Sequence, residues 1–381
     1  MLSTRRSAAA LGAAALLALS LSACTPADSD ADNASASAAN PELAATVEKL
    51  TQPLEAYPLP TDAVDGNGLK GKTIYYVPIT LQSPQFAVTQ KALTAAAEAV
   101  GASVQVCDGK GTPTDVASCV DQGTKAGAAA IIGDAVPYGL AKNAFDAALD
   151  AKIPVIITNQ IASDDVPADA TLGYIAAGGS GMQEALASWV SLNSGGKANV
   201  LINQSTDGPS PAQFVADGKK VYAADCADCT ITVNEVSSAN FSMIPSSTSS
   251  ALLKDPNVNY VISQFEQYLQ ATTSGVQQAS KTDSVKVLTG SAQLSGLKQL
   301  TDSGSLEAAA AQASAYQGWV DVDAALRLIA GQELPDYTIP VRLFDRDSIK
   351  DVTLTDEAEA SGEWFGPTTF TDDFQKLWGL K

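Results

Sequence analysis

The sequence predicts an α/β fold of two doubly wound parallel-sheet lobes, and three observations carry that prediction. Short, unbroken, β-branched apolar runs alternate with Ala-rich or amphipathic stretches of helical length. Runs of that kind suit strands buried on both faces, the condition of a parallel sheet. The alternation pauses near Asp164 and then restarts, so one chain carries two arrays. With 381 residues and 45% hydrophobic content, there is enough apolar material for two cores.

The chain opens on an address. Arg5 and Arg6 precede an Ala/Leu run at 8–21 that is too short to span a bilayer and fits the apolar region of a signal peptide. It ends in Leu21-Ser22-Ala23-Cys24, which resembles the lipobox of bacterial lipoproteins. That resemblance implies removal of residues 1–23 and lipidation of Cys24, hence an extracytoplasmic protein anchored to the outer face of the cell membrane. After Cys24, residues up to 40 include no large apolar side chain, so 24–40 is expected to be a flexible tether. Residues 41–70, rich in proline and small polar side chains, are expected to form an extension lying along the first lobe.

The first array starts at Lys72. A strand is expected at 73–77 and an Ala-rich helix at 85–100, stopped by Gly101. A strand at 103–106 leads to Thr112-Pro113-Thr114-Asp115, the signature of a helix start. Thr112 would cap, Pro113 fits the first turn, and Asp115 complements the positive end of the dipole. Strand 129–132, helix 140–151 and strand 153–158 follow. Beyond Asp164, helices at 182–193, 211–223, 251–254 and 268–281 precede strands at 198–202, 230–236, 258–263 and 285–289 respectively. Ligands of such sheets sit at the C-terminal strand ends, and facing lobes place those ends around one cleft.

Composition removes several kinds of chemistry. Forty-two acids against 23 bases give a formal charge of −19, which argues against nucleic acid because phosphate binding needs clustered Lys and Arg. No histidine occurs, so His-dependent triads and His-ligated metals are excluded. Neither a G-x-G-x-x-G with a following acid nor a G-x-x-x-x-G-K-[ST] occurs, and no cofactor or metal is expected. Beyond Cys24 the cysteines number four, an even count that suits export. Cys107 ends an apolar run and Cys119 shares a helix face with Val116 and Val120, so a disulfide there would clip a strand end to the next helix. Cys226-Ala227-Asp228-Cys229 precedes a β-like run instead of opening a helix, which favours a structural disulfide over a redox pair.

Several segments in fixed order resemble the type I periplasmic binding proteins, in particular the ribose-like sugar-binding branch that serves ABC importers. They are Gly71-Lys72-Thr73-Ile74-Tyr75-Tyr76-Val77-Pro78 with Ser83-Pro84-Gln85-Phe86, then Ala126-Gly127-Ala128-Ala129-Ala130-Ile131-Ile132-Gly133-Asp134 and Ala151-Lys152-Ile153-Pro154-Val155-Ile156. Asp255-Pro256-Asn257-Val258, Ala311-Gln312-Ala313-Ser314-Ala315-Tyr316-Gln317-Gly318 and Leu328-Ile329-Ala330-Gly331 continue the series. The resemblance covers roughly 70–350 and rests on order and spacing more than on any one motif. It implies a periplasmic binding protein-like I fold with a three-crossing hinge near Asn159-Gln160, Gln312 and Ile339. Lobe 1 would comprise 71–160 and 313–338, lobe 2 would comprise 161–312 and 339–355, and 356–381 would be a C-terminal extension. Its implied partners are a small-molecule solute and a membrane permease, with the chain acting as a monomer.

Site candidates come from the strand ends. Gln85 and Phe86 occupy the first strand–helix turn, where Phe86 either walls a ring or packs under the hinge. Asp134 ends the third strand as a hydroxyl acceptor or a helix cap, and Asn159 with Gln160 stands at the first crossing. Asp207 and Gln213 flank the loop after the first strand of lobe 2, and Gln264, Phe265 and Glu266 follow the next. Ser291 and Gln293 stand where the family has an aspartate, and Gln312 and Tyr316 lie at the second crossing. The family's sugar-binding arginine has no counterpart, since 204–214 holds no basic residue. Without that cation and that acid, an ordinary pentose or hexose is disfavoured against a polyol, an amide-bearing solute or a more apolar ring. Trp319, Trp364, Phe365, Phe370, Phe374 and Trp378 are expected to pin the C-terminal extension across a lobe. Two alternatives remain: a sensory lipoprotein with the same cleft, and a hydrolase pairing Asp134 with Glu266 across it.

Overall fold

The computed structural model describes residues 40–176, 178–302 and 304–381. The expected signal peptide, Cys24 and the tether up to 39 lie outside the described residues. Strands β1 (Thr73–Pro78), β2 (Ser103–Val106), β3 (Ala130–Asp134), β4 (Val155–Thr158) and β5 (Leu172–Ile175) form a parallel sheet in the order β2-β1-β3-β4-β5. Strands β6 (Asn199–Ser205), β7 (Thr230–Val236), β8 (Tyr260–Ser263), β9 (Lys286–Thr289), β10 (Leu306–Gln312) and β11 (Val341–Asp345) form the second, ordered β11-β10-β9-β8-β6-β7. Only β11 runs antiparallel to its neighbour in that sheet. The α/β architecture of two doubly wound sheets is the one the alternating pattern predicts. Every residue of β3, β4 and β8 is buried, as helices on both faces require.

The helices are α1 (Pro41–Thr51), α2 (Pro84–Ala99), α3 (Pro113–Ala126), α4 (Lys142–Asp150), α5 (Gly179–Asn193) and α6 (Pro209–Asp225). They continue with α7 (Ile244–Lys254), α8 (Leu269–Gln278), α9 (Leu294–Lys298), α10 (Ser314–Ile329), α11 (Asp356–Ser361) and α12 (Phe370–Leu377). Thr112 caps α3 as its sequence demands: its Oγ1 accepts from the Asp115 N–H at 3.1 Å.

Two expected boundaries are corrected. Strand β5 pairs with β4 from Val155–Leu172 to Thr158–Ile175, so 161–175 belongs to the first lobe. The chain therefore first leaves that sheet after Ile175, not at Asn159-Gln160. With four residues, one of them Gly173, β5 offers too short a run to read as a strand. The N-terminal extension also does more than lie along the first lobe. Leu43 and Val47 bury one face of α1 in the second-lobe core with Trp189 of α5, and only from Tyr57 onward does the chain pack on the first. The remaining crossings fall between β10 and α10, which packs on α2, and before β11.

The two extensions bind each other behind the lobes. Leu54 N–H donates to the Phe365 carbonyl at 2.7 Å, and Tyr57 OH donates to that of Gly362 at 2.6 Å. The buried Arg342 guanidinium donates to the Thr51 carbonyl at 2.8 Å and also to that of Trp364, tying both extensions to β11. Trp378 stacks on Trp319 with centroids 5.4 Å apart, which anchors the tail on α10.

Disulfides join Cys107 to Cys119 and Cys226 to Cys229, with Cα separations of 5.6 and 5.3 Å. The first links the end of β2 to α3, closing a loop of sequence separation 12. Loop-closure entropy gives it about 3 kcal/mol. Urea unfolding of a Cys107→Ala/Cys119→Ala double variant is expected to show that loss, and an unchanged midpoint would refute it.

Candidate functional site

Between the lobes, at the C-terminal ends of both sheets, lies a cleft of about 670 Å³. In each sheet the strand order reverses beside the first strand of the lobe, at β1/β3 and at β6/β8. Chain leaving neighbouring strands there turns in opposite directions and opens a crevice for a ligand. Ile79, Thr80, Gln85, Phe86, Ala135, Asn159 and Gln160 come from the first lobe, and Met182, Thr206, Asp207, Phe214, Phe265 and Ser291 from the second. Ala135, Asn159 and Ser291 have positive φ, at 55°, 57° and 54°. Left-handed backbone at three non-glycine residues around one cleft is the kind of strain that collects at binding sites.

Eight of the sequence candidates line this cleft: Gln85, Phe86, Asn159, Gln160, Asp207, Phe265, Ser291 and Gln312. The other six sit elsewhere, each for a local reason. Asp134 is fully buried beneath the floor, accepting from Tyr76 OH at 2.5 Å and Asn159 Nδ2 at 2.6 Å. Burial pushes its carboxyl up to about 6 against the pull of those hydrogen bonds. Glu266 accepts from Gln293 N–H and Ser295 Oγ and so caps α9; burial pushes it up to about 7. Gln293 is the residue it holds. Gln264 accepts from Ser205 N–H at 2.7 Å and donates to the Pro211 carbonyl at 2.7 Å, a brace inside the second lobe. Gln213 is exposed and donates to Asp217, while its neighbour Phe214 turns into the cleft. Tyr316 is packed between Tyr57 and Phe374 and donates to the Pro58 carbonyl. Asp134 and Glu266 thus do not face each other across the cleft.

Sequence reasoning missed Phe214, Tyr138, Tyr174, Met182, Thr206 and Ser238. A signal existed for Phe214. Buried Pro211, Phe214, Val215, Gly218 and Tyr222 follow helical spacing, which places Gln213 on the outer face. Gly179 makes room for Phe214, since a Cβ there would lie 2.3 Å from the ring.

The floor is an amide network that joins the lobes. Gln312 Nε2 donates to Asn159 Oδ1 at 2.8 Å and to Gln317 Oε1 at 2.7 Å, and Gln312 Oε1 accepts from Gly178 N–H at 3.1 Å. Gln317 Nε2 reaches Thr158 Oγ1 at 3.1 Å. Nearer the mouth, Ser210 Oγ donates to Gln160 Oε1 at 2.8 Å, a direct bond between lobes. Gly208, at a φ of 143°, comes so near Pro137 of the first lobe that a Cβ would lie 2.8 Å from its ring. Ser210 Oγ also accepts from the Ile161 N–H at 3.1 Å, so Ser210→Ala removes two cross-lobe bonds without removing a lining side chain. At about 1 kcal/mol for each bond, solute affinity is expected to fall about thirtyfold through a smaller closed population. Calorimetric titration with unchanged affinity would show that these bonds do not favour closure.

Asp207 is the single acid among the lining residues, and no lysine or arginine joins it. Its carboxylate already accepts from Ser238 N–H at 3.0 Å, Ser238 Oγ at 2.7 Å and Tyr268 OH at 2.6 Å. Burial and the Asp207 charge push the Tyr268 hydroxyl up to about 12, so it stays a donor. The cleft can therefore hold a neutral solute by amides, hydroxyls and ring faces.

Solved structures share this architecture. A 5-methylthioribose transporter solute-binding protein from Thermotoga lettingae superposes with a TM-score of 0.67 at 17% identity, over 84% of this chain and 100% of that one. An ABC transporter solute-binding protein from Agrobacterium vitis, bound to α-D-tagatopyranose, gives 0.65 at 22% identity, over 74% and 97%. Another from the same organism, bound to allitol, gives 0.65 at 18%, over 74% and 98%. No curated protein sequence matches the chain. The profile of the periplasmic binding protein domain matches residues 74–333, which take in most of both lobes. With that match spanning the two sheets and the cleft between them, the chain belongs to the periplasmic binding protein domain family and is a binding protein, not an enzyme.

Proposed function

We propose that this protein is the solute receptor of an ABC importer, anchored through a lipid on Cys24 to the outer face of the cell membrane. It captures one uncharged sugar- or polyol-like solute between its lobes and presents the closed form to the permease as a monomer. The observation that carries this reading is the cleft itself, lined from both lobes and bridged by Gln160–Ser210 and the Asn159–Gln312 amide pair. A solute touching both lobes favours the closed arrangement by its differential contacts, which is what a permease can read. Similar structures named as ABC transporter solute-binding proteins hold a tagatopyranose and allitol, and Leu21-Ser22-Ala23-Cys24 supports the anchor.

A thermal-shift panel of sugars, polyols and nucleosides tests it. A solute present at 100 times its Kd is expected to add about 2.7 kcal/mol of stability. A panel without any shift would contradict the reading. Mass spectrometry of membrane-extracted protein is expected to find residues 1–23 removed and a lipid on Cys24, and an unmodified cysteine there would remove the anchor.

A further inference from the structure

Resting on that reading, we infer that the cleft selects a two-faced solute: an uncharged ring with hydroxyls on one edge and an apolar substituent on the other. The two walls differ in what they leave unpaired. On the second lobe most of the polar side chains are spent within the protein, the exceptions being the Ser291 hydroxyl, whose one contact is the Met182 sulfur at 3.9 Å, and the Gln267 amide, which donates to Ser238 Oγ at 3.4 Å. Asp207 is saturated by Ser238 and Tyr268, and Thr206 Oγ1 donates to the Val236 carbonyl at 3.2 Å. Ser205 Oγ accepts from Asp207 N–H at 3.2 Å, and Gln312 is held in the floor network. Beside Ser291 and Gln267, that lobe therefore presents the apolar surface of Met182, Phe214 and Phe265. A hydroxyl pressed against them would lose water without gaining a partner, whereas an apolar group gains by burial.

The first lobe also offers apolar side chains, Ile79 and Phe86 among them, but it adds polar groups left without partners. Among the described residues, neither the Gln85 amide nor the Ser83 hydroxyl has a hydrogen-bond partner, and Gln160 Nε2 is likewise unengaged. All three residues are at most 7% exposed and line the cleft. Unpaired amides and hydroxyls that open onto a cleft are free to bond a ligand there. They supply neutral donors and acceptors for a hydroxylated edge and no charge for an anion. With no Lys or Arg in the lining, a phosphorylated or carboxylated sugar would be desolvated without a counter-charge.

The test is calorimetric titration of the mature chain with 5-deoxy-5-methylthioribose, adenosine, D-ribose, D-glucose and ribose 5-phosphate. At least one of the apolar-substituted ribosides is expected to bind about tenfold or more tighter than D-ribose and D-glucose, from the burial of its apolar arm. Ribose 5-phosphate is expected not to bind. Phe265→Ala is expected to narrow the preference for the substituted riboside, and Gln85→Ala to weaken all binding. Ribose or glucose binding as tightly as the substituted compounds would overturn this inference and leave solute capture standing. So would binding of ribose 5-phosphate equal to ribose. Silence of all five probes would overturn it as well, and the sugar and polyol panel would then decide separately whether the cleft binds solute at all.

Discussion

Trp378→Ala is expected to lower the unfolding free energy by about 4 kcal/mol, the range for deleting a buried large aromatic. Trp378 is 1% exposed and lies three residues from the end of the sequence. Its ring stacks on Trp319 at 5.4 Å and meets Phe374 at 5.5 Å. Its indole N–H donates at 2.8 Å to Asp323, a buried carboxylate that also accepts from Arg327 Nε at 2.7 Å and Tyr337 OH at 2.5 Å. Alanine would open a cavity on α10 and take one donor from a buried ion pair. Trp378→Phe retains most of the stack and is expected to cost less, about 1–2 kcal/mol for the lost hydrogen bond to a charged group. Equilibrium urea unfolding of both variants measures this. A loss below about 1 kcal/mol for the alanine would mean that the tail is an appendage and not part of the first-lobe core.

The second large effect is in pH. Asp134 is fully buried and its carboxyl rises from 3.8 to about 6 on folding, first because burial disfavours the charge. A folded-state value above the unfolded one contributes stability that is complete below about pH 4 and lost as pH rises through about 6. That shift corresponds to about 3 kcal/mol. Glu266, raised from 4.5 to about 7, slopes the same way over a slightly higher window. Asp321, fully buried near Asp134, is raised further by burial and by that neighbour's charge. Asp115 and Asp217 act in the opposite sense at low pH, because hydrogen bonds hold their carboxyls below the usual range. Stability should therefore peak near pH 4–5 and fall towards pH 7. Asp134→Asn is expected to flatten the part of that fall between about pH 4 and 6 and to raise stability at pH 8. Urea unfolding from pH 4 to 8 checks the slope, and stability that rises with pH across this range would contradict it.

Much of the fold was legible because its strands are buried on both faces. Ile131-Ile132 and Val155-Ile156-Ile157 can only be interior strands at that length, and Thr112 with Pro113 announces a helix with its cap. Elements with little apolar period escaped. Leu172-Gly173-Tyr174-Ile175 is too short, and the first turns of α7 are mostly serine and threonine. For α1, Leu43 and Val47 mark a buried face, but nothing in the sequence says which lobe receives it. The site was half legible for a similar reason. A polar residue at a strand end is placed near the cleft by topology, but its rotation depends on neighbours distant in sequence. Tyr76 and Asn159 draw Asp134 downward, and the N–H of Gln293 with the Ser295 hydroxyl draws Glu266 sideways. Helix phase alone would have exchanged Gln213 for Phe214.

The central claim is that one solute binds in the cleft between the lobes. It is tested most directly by titrating the mature chain and its Gln85→Ala/Phe86→Ala variant with whichever solute gives the largest thermal shift. The account predicts one site per chain in the parent. In the variant, affinity should fall at least tenfold while the unfolding transition stays cooperative. Undiminished binding by the variant, or a stoichiometry other than one, would place the solute elsewhere and contradict the account.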